Sequence, residues 1–323
     1  ITDHGVMYGA IEFYKTGKKT GIKPLIGMEG YVVNKDHKLR EGKGENNHLL
    51  LLAKDYQGYK NLMQLATIAH IEGFYYRPRF DKATLAKYHT GLICTSACSK
   101  GEIAKLLGDN NYDEAKQAIA WYVDVFGDDY YLEIQRHQNS DYFEAAKDNP
   151  RVLTLLQDFD KTEKIWVGGI TKLSRELGVK LVATNDTHYI NQSDATAQDA
   201  LVCISTGKNV SDVERLRYVD TPTFYLRPEE EMRQLFPDFP DSIDNTLEIA
   251  NKCDISIELG QWYFPNIDLP TGRTAPQALQ ELARSRMAQK YNQVTPQIKT
   301  RLDFELEVIC SKGYAPYFLM MAD

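Results

Sequence analysis

Five short stretches of this chain carry side chains that could hold a metal ion, each in or beside an apolar run. Thr2-Asp3-His4-Gly5 follows Ile1 and precedes a helix-like segment. Glu29 lies inside Ile26-Gly27-Met28-Glu29-Gly30, and His48 stands directly before Leu49-Leu50-Leu51-Leu52. Cys98 closes Thr95-Ser96-Ala97-Cys98, and Asp186 and His188 end Ala183-Thr184-Asn185-Asp186-Thr187-His188. Side chains at the ends of barrel strands converge on one face, where active sites are built. Asp-x-His in extended backbone places both side chains on one side, because the strand period is two. Imidazoles and carboxylates together are the ligand set for Zn, Mn or Fe. A cluster of several predicts two or three ions, and paired ions clamp the attacking and leaving oxygens of a phosphoryl transfer.

Each residue alone has a plainer reading. A histidine at a strand end is often structural, Glu29 could be an ion-pair partner, and Cys98 could be a small buried hydrophobe. His37, His70 and His89 lie in polar loop or helix-end contexts and read as solvated. His137 follows the apolar run Tyr130–Ile134 and reads as a rim residue.

The elements that must position these residues alternate between strand-like and helix-like. Strands are predicted at Leu25–Val33, His48–Ala53, Leu92–Ser96, Tyr130–Gln135 and Lys180–Thr184. Helices are predicted at Val6–Lys19, Tyr56–His70, Lys100–Leu107, Tyr112–Phe126, Ile165–Leu177 and Asp194–Ser205. Such βα alternation predicts an α/β fold with a parallel sheet, and its length suggests a barrel. Asp148–Thr162 fits no element and reads as a surface excursion. Beyond residue 205 strands become scarce, with helices expected at Pro228–Phe236, Asp241–Cys253, Ala275–Tyr291 and Gln297–Ser311. Phe264–Gly272 reads as a linker.

With 323 residues, one large domain and a smaller appendage are expected. A net charge of −7 argues against a dedicated nucleic-acid-binding module, though not against nucleic acid held through metal ions. Residues 271–323 carry seven Lys/Arg against five Asp/Glu, so the acidity lies earlier, where a cation site needs it. No apolar run reaches the ~18 residues of a membrane span. Five scattered cysteines predict a reducing, cytoplasmic setting. A chain opening on Ile1 rather than Met reads as a fragment.

Thr2-Asp3-His4-Gly5 with Tyr8-Gly9-Ala10-Ile11-Glu12-Phe13-Tyr14 resembles the second motif of PHP (polymerase and histidinol phosphatase) domains, in the form found in bacterial DNA polymerase III alpha subunits. The likeness continues through Gly21–Glu29, His48–Ala53, Cys98 and Asp186-x-His188. Leu216-Arg217-Tyr218, Phe224–Met232 and Arg301–Leu319 resemble the polymerase rather than free-standing PHP phosphatases. The resemblance implies a distorted seven-stranded (β/α) barrel over 1–205, a remainder and linker over 206–270, and the entry into the polymerase palm over 271–323. It implies that His4, Glu29, His48, Cys98, Asp186 and His188 are metal ligands, with Asp3 beside them. Asp186, His188 and Glu29 are then expected to carry catalysis. The family's opening His-x-His motif and the palm aspartates are absent, so this stretch alone is not expected to synthesise DNA. Three functions follow from the resemblance: a metal-dependent 3′–5′ exonuclease within a replicative polymerase, a silent scaffold that docks a proofreading subunit, or a free-standing phosphatase. Expected partners are DNA, a sliding clamp and a proofreading exonuclease, with Mg serving the polymerase site elsewhere in the full-length protein.

Overall fold

A computed structural model describes residues 1–42, 44–261, 267–269 and 272–322. The predicted linker Phe264–Gly272 lies mostly outside the described residues. The chain packs as two compact units, Ile1–Ile257 and Glu258–Asp323.

Six strands form the sheet of the first unit: β1 (Gly27–Val33), β2 (Asn47–Ala53), β3 (Arg79–Asp81), β4 (Leu92–Thr95), β5 (Tyr130–Ile134) and β6 (Leu181–Ala183). Their order is β3-β1-β2-β4-β5-β6. Helices α1 (Ala10–Thr20), α2 (Tyr56–Ile71), α3 (Lys82–Lys87), α4 (Glu102–Gly108), α5 (Tyr112–Phe126) and α6 (Pro150–Leu177) alternate with them. This mixed α/β architecture, followed by a helical segment, is consistent with a PHP-type (β/α) barrel.

The sheet is not purely parallel as expected. β2 runs antiparallel to both β1 and β4, while the other pairs are parallel. The cause is the connection: among the described residues no helix lies between β1 and β2, and a direct return reverses the chain. β1 is buried along its whole length, and β2 buries Leu49, Leu51 and Ala53 while His48 leans the other way. Residues 1–5 run parallel to β1, with Gly27 N–H donating to Ile1 O at 2.9 Å and Glu29 N–H to Asp3 O at 3.1 Å. Leu62, Leu65, Leu92, Ile119, Leu132, Trp166 and Ile170 fill the space between sheet and helices.

The stretch 148–162 is no surface excursion. Asn149 caps a helix through Val152 N–H, Pro150 opens it, and Val152 and Leu156 begin a buried stripe that runs on to Trp166 and Ile170. Pro at the first helical turn loses no hydrogen bond there, so Asn-Pro is a start signal rather than a break. Further on, α7 (Ala195–Thr206), α8 (Glu229–Leu235) and α9 (Pro240–Lys252) complete the unit. Asn245 of α9 donates to Leu181 O on β6 at 2.8 Å.

The second unit contains α10 (Ala275–Lys290), α11 (Pro296–Ser311) and α12 (Ala315–Ala322). Thr274 and Gln277 form a reciprocal cap on α10, and Leu279, Leu306 and Ala315 form its small core. Among the described residues, no helix is long and apolar enough to cross a membrane.

Candidate metal centre

His4 is placed by the pairing of residues 1–5 with β1, which sets it beside Glu29. Gly5 follows with φ +67°, and a Cβ there would stand 2.8 Å from Pro78 and 2.9 Å from Tyr31. Only glycine turns the chain so tightly behind the His4 ring. His70 Nε2 meets Gly5 O at 3.0 Å and backs this turn from an exposed helix end.

Glu29 is buried, with 6% of its surface exposed. Its Oε1 lies 3.1 Å from His4 Nδ1 and also contacts His48 Nδ1. Cys98 Sγ lies 3.6 Å from His48 Nδ1. The rings of His4 and His48 are 5.9 Å apart and those of His4 and His188 are 5.7 Å apart. A cavity of about 410 Å³ is lined by Asp3, His4, Glu29, Cys98, Asp186 and His188. His48 adjoins it through Glu29 and Cys98. All six expected ligands, drawn from chain positions far apart, are thus brought together.

One local expectation is corrected. Asp186 and His188 do not sit on extended backbone: β6 ends at Ala183, and Asp186 has φ +46°. Asp186 O then accepts a hydrogen bond from His188 Nδ1 at 2.6 Å. That bond puts the proton on Nδ1 and leaves the Nε2 lone pair free, the usual orientation of a metal-binding histidine.

Electrostatics tests whether cations fit. Burial alone would raise the Glu29 carboxyl, but hydrogen bonds from His4 and His48 hold it down at about 2. The same bond to Glu29 raises His4. Burial raises Asp186, and the Glu29 charge adds to this against the pull of His188. The Cys98 thiol is pushed well above its usual value by burial, then by Asp186 and Glu29. Among the described residues no lysine or arginine pairs with Glu29 or Asp186; their ion-pair partners are histidines. Three acidic donors whose ionised forms disfavour one another around one cavity are what divalent cations relieve, so the donor set fits a metal cluster.

Beneath the expected ligands lie residues that sequence reasoning passed over. Glu133 on β5 accepts from Thr184 Oγ1 at 2.5 Å, from Gln135 Nε2 at 2.8 Å and from Thr95 Oγ1. Burial raises its carboxyl, and the neutral donors oppose that only in part. Its signal was a lone acid inside the apolar run Tyr130–Ile134.

Two histidines read as exposed are buried. His37 Nδ1 meets Asp81 Oδ2 at 2.7 Å, and Asp81 also caps α3 through Thr84 N–H. The Arg79 guanidinium covers this pair by donating to His37 O and Leu39 O. These partners lie some forty residues away, which a local reading of a polar stretch does not reach. His137 is no rim residue: it is 2% exposed and stacks on Phe224 at 4.1 Å. Burial pulls its imidazole down to about 3, so it is neutral. His89 is half-buried and bonds Ala86 O at 2.6 Å, as a helix end requires.

Comparison with known proteins adds to this geometry. A family model described as the PHP domain matches residues 1–137, and one described as the bacterial DNA polymerase III alpha NTPase domain matches residues 277–323. The DNA polymerase III subunit alpha of Borreliella burgdorferi is 44% identical over 328 residues, covering 100% of this chain and 27% of that protein. Those of Helicobacter pylori and Treponema pallidum are each 37% identical, again over 100% of this chain and over 27% and 26% of their own lengths. The chain therefore spans about a quarter of the length of these relatives. With a PHP domain in its first unit and similarity along its whole length, the chain corresponds to the PHP-bearing portion of the bacterial DNA polymerase III alpha subunit family.

Proposed function

We propose that this chain is part of a replicative DNA polymerase alpha subunit and that its PHP cavity is a metal-dependent phosphodiesterase, acting as a 3′–5′ exonuclease. The observation that carries the reading is the convergence of His4, Glu29, His48, Cys98, Asp186 and His188 on one cavity. The ligands suit two or three Zn, Mn or Fe ions. When bound, such ions supply positive charge against phosphoryl oxygens and ease deprotonation of water. The residues do the rest. Glu29, ionised over the physiological range, joins His4 to His48. Asp186 and His188 face them from the end of β6. The buried hydrogen bonds of Glu133 with Thr95, Gln135 and Thr184 fix the floor of the cavity.

DNA, a sliding clamp and a separate proofreading exonuclease are the partners proposed for the whole protein, with Mg at its polymerase site. Asp186→Ala in the intact polypeptide is expected to lower Mn- or Zn-dependent 3′–5′ hydrolysis by at least about 100-fold, through loss of a ligand. Unchanged hydrolysis would sink the assignment. Stoichiometric metal without any hydrolysis would instead assign the cavity to structural support of the polymerase.

A further inference from the structure

Residues 213–227 include a segment that resembles the polymerase rather than other PHP proteins, and the ligands alone give it no task. In the fold it lies against the loop that carries Asp186 and His188. We propose that this segment is a strap that holds both ligands in place, and that Asn185 is the positioning residue through which it acts. The proposal rests on the metal-centre reading above.

The loop needs such support. Past Ala183 it has left the sheet, and Asp186 adopts left-handed backbone, which an L-residue keeps only when its surroundings impose it. The strap supplies that constraint at several points. Asn185 Nδ2 donates to Thr223 O and to Tyr225 O, both at 2.7 Å. Two carbonyl acceptors settle which end of the amide faces them, since only the NH2 group donates. His188 N–H donates to Phe224 O at 2.8 Å, and Leu226 N–H to Tyr189 O at 3.0 Å. Tyr189 and Tyr225 pair as a parallel bridge. Phe224 N–H is in turn accepted by Tyr189 Oη at 3.2 Å.

Side chains hold the strap from both sides. Tyr218 packs 5.1 Å from the His188 ring, and Phe224 stands edge-on to it at 6.0 Å. Phe224 is itself stacked on the buried His137. At the near end, Arg215 grips Asp199 of α7 with two bonds of 2.8 and 2.6 Å, both side chains only 1% exposed. Asp199 Oδ1 also accepts Tyr218 N–H at 3.0 Å. The strap is therefore anchored to α7 and to the barrel before it reaches the ligands. Asn185, the residue next to Asp186, joins the ligand loop to the strap at two carbonyls.

The test uses the intact polypeptide. Asn185→Ala is expected to weaken the binding of Co(II) about 10- to 100-fold in competition with a chelator, the usual effect of removing a partner behind a ligand. The cobalt absorption spectrum is expected to change in shape, which general destabilisation would not cause. A second measurement needs no variant: added Zn should slow hydrogen exchange at the His188 and Leu226 amides of the wild type, because coupling between ligand and strap is reciprocal. It decides alone if Asn185→Ala does not fold. Unaltered affinity and spectrum in the variant, or exchange at these amides that ignores Zn, would overturn the strap while leaving the metal centre standing. Failure of the wild type to take up either metal would overturn the metal-centre reading itself, and the strap with it.

Discussion

His137 and Glu163 show how burial sets charge one residue at a time. His137 N–H is accepted by both Glu163 oxygens at 3.1 and 3.2 Å, and the two groups are displaced in opposite directions. Burial lowers His137 to about 3, so its contribution to stability is complete above its ordinary value near 6.5 and is lost as pH falls toward 3. Burial raises Glu163 to about 7, so its contribution is complete below the ordinary carboxylate value and is lost as pH rises through 7. Each slope approaches ~1.4 kcal/mol per pH unit. His137→Phe, which keeps an aromatic ring on Phe224, is expected to flatten the acid side of the stability profile between pH 6.5 and 4.5. Glu163→Gln is expected to flatten the neutral side. Chemical denaturation across pH checks both. At this scale the candidate ligands drew attention because each stands in or beside an apolar run and matches a family motif. Asn185, Glu133 and His37 did not, because what gives them a role is a partner 38 to 44 residues away in the chain.

Elements were legible where burial repeats at regular intervals. β2, α2 and α5 stand within a residue or so of their predicted bounds, since an apolar run or a helical stripe marks each. Strand direction was not, because it depends on what the connection contains rather than on the strand. The close approach of α2 to β4 makes a sharp test. A Cβ on Gly58 would stand 1.9 Å from Gly91 O, backbone that cannot swing aside. Gly58→Ala is expected to cost roughly 1–3 kcal/mol by thermal or chemical denaturation, despite the better helix propensity of alanine. The Arg215–Asp199 pair belongs to the same scale, since it ties the strap to α7. Arg215→Met leaves Asp199 buried without a cation and is expected to cost about 3–5 kcal/mol. A double substitution that makes both positions apolar should recover much of that loss, which the same denaturation series reads out.

At the scale of the whole molecule, metal and fold are linked. The proposed ligands come from the first strand-like residues, from β1, β2, the end of β4 and the end of β6, so an ion binds only the folded first unit. Metal at a hundred times its dissociation constant is expected to stabilise that unit by ~2.7 kcal/mol, and chelation to reverse this. Calorimetry of the intact polypeptide with and without chelator checks it, and a melting transition indifferent to chelator would count against a bound cluster. The helices of the second unit, with their own core of Leu279, Leu306 and Ala315, contribute no proposed ligand.

The strap has a consequence for the order in which the protein is made. A ribosome adds about 5–20 residues per second, so His4, Glu29 and His48 are synthesised on the order of ten seconds or more before Asp186, His188 and the strap. During that interval the nascent chain holds only part of the proposed site, His4, Glu29, His48 and then Cys98, without Asp186 and His188 opposite them. On the proposals made above, the site would be complete only once residues 213–227 dock, so the resident metal would be taken up after the strap is made, from the metal supply of the compartment at that moment.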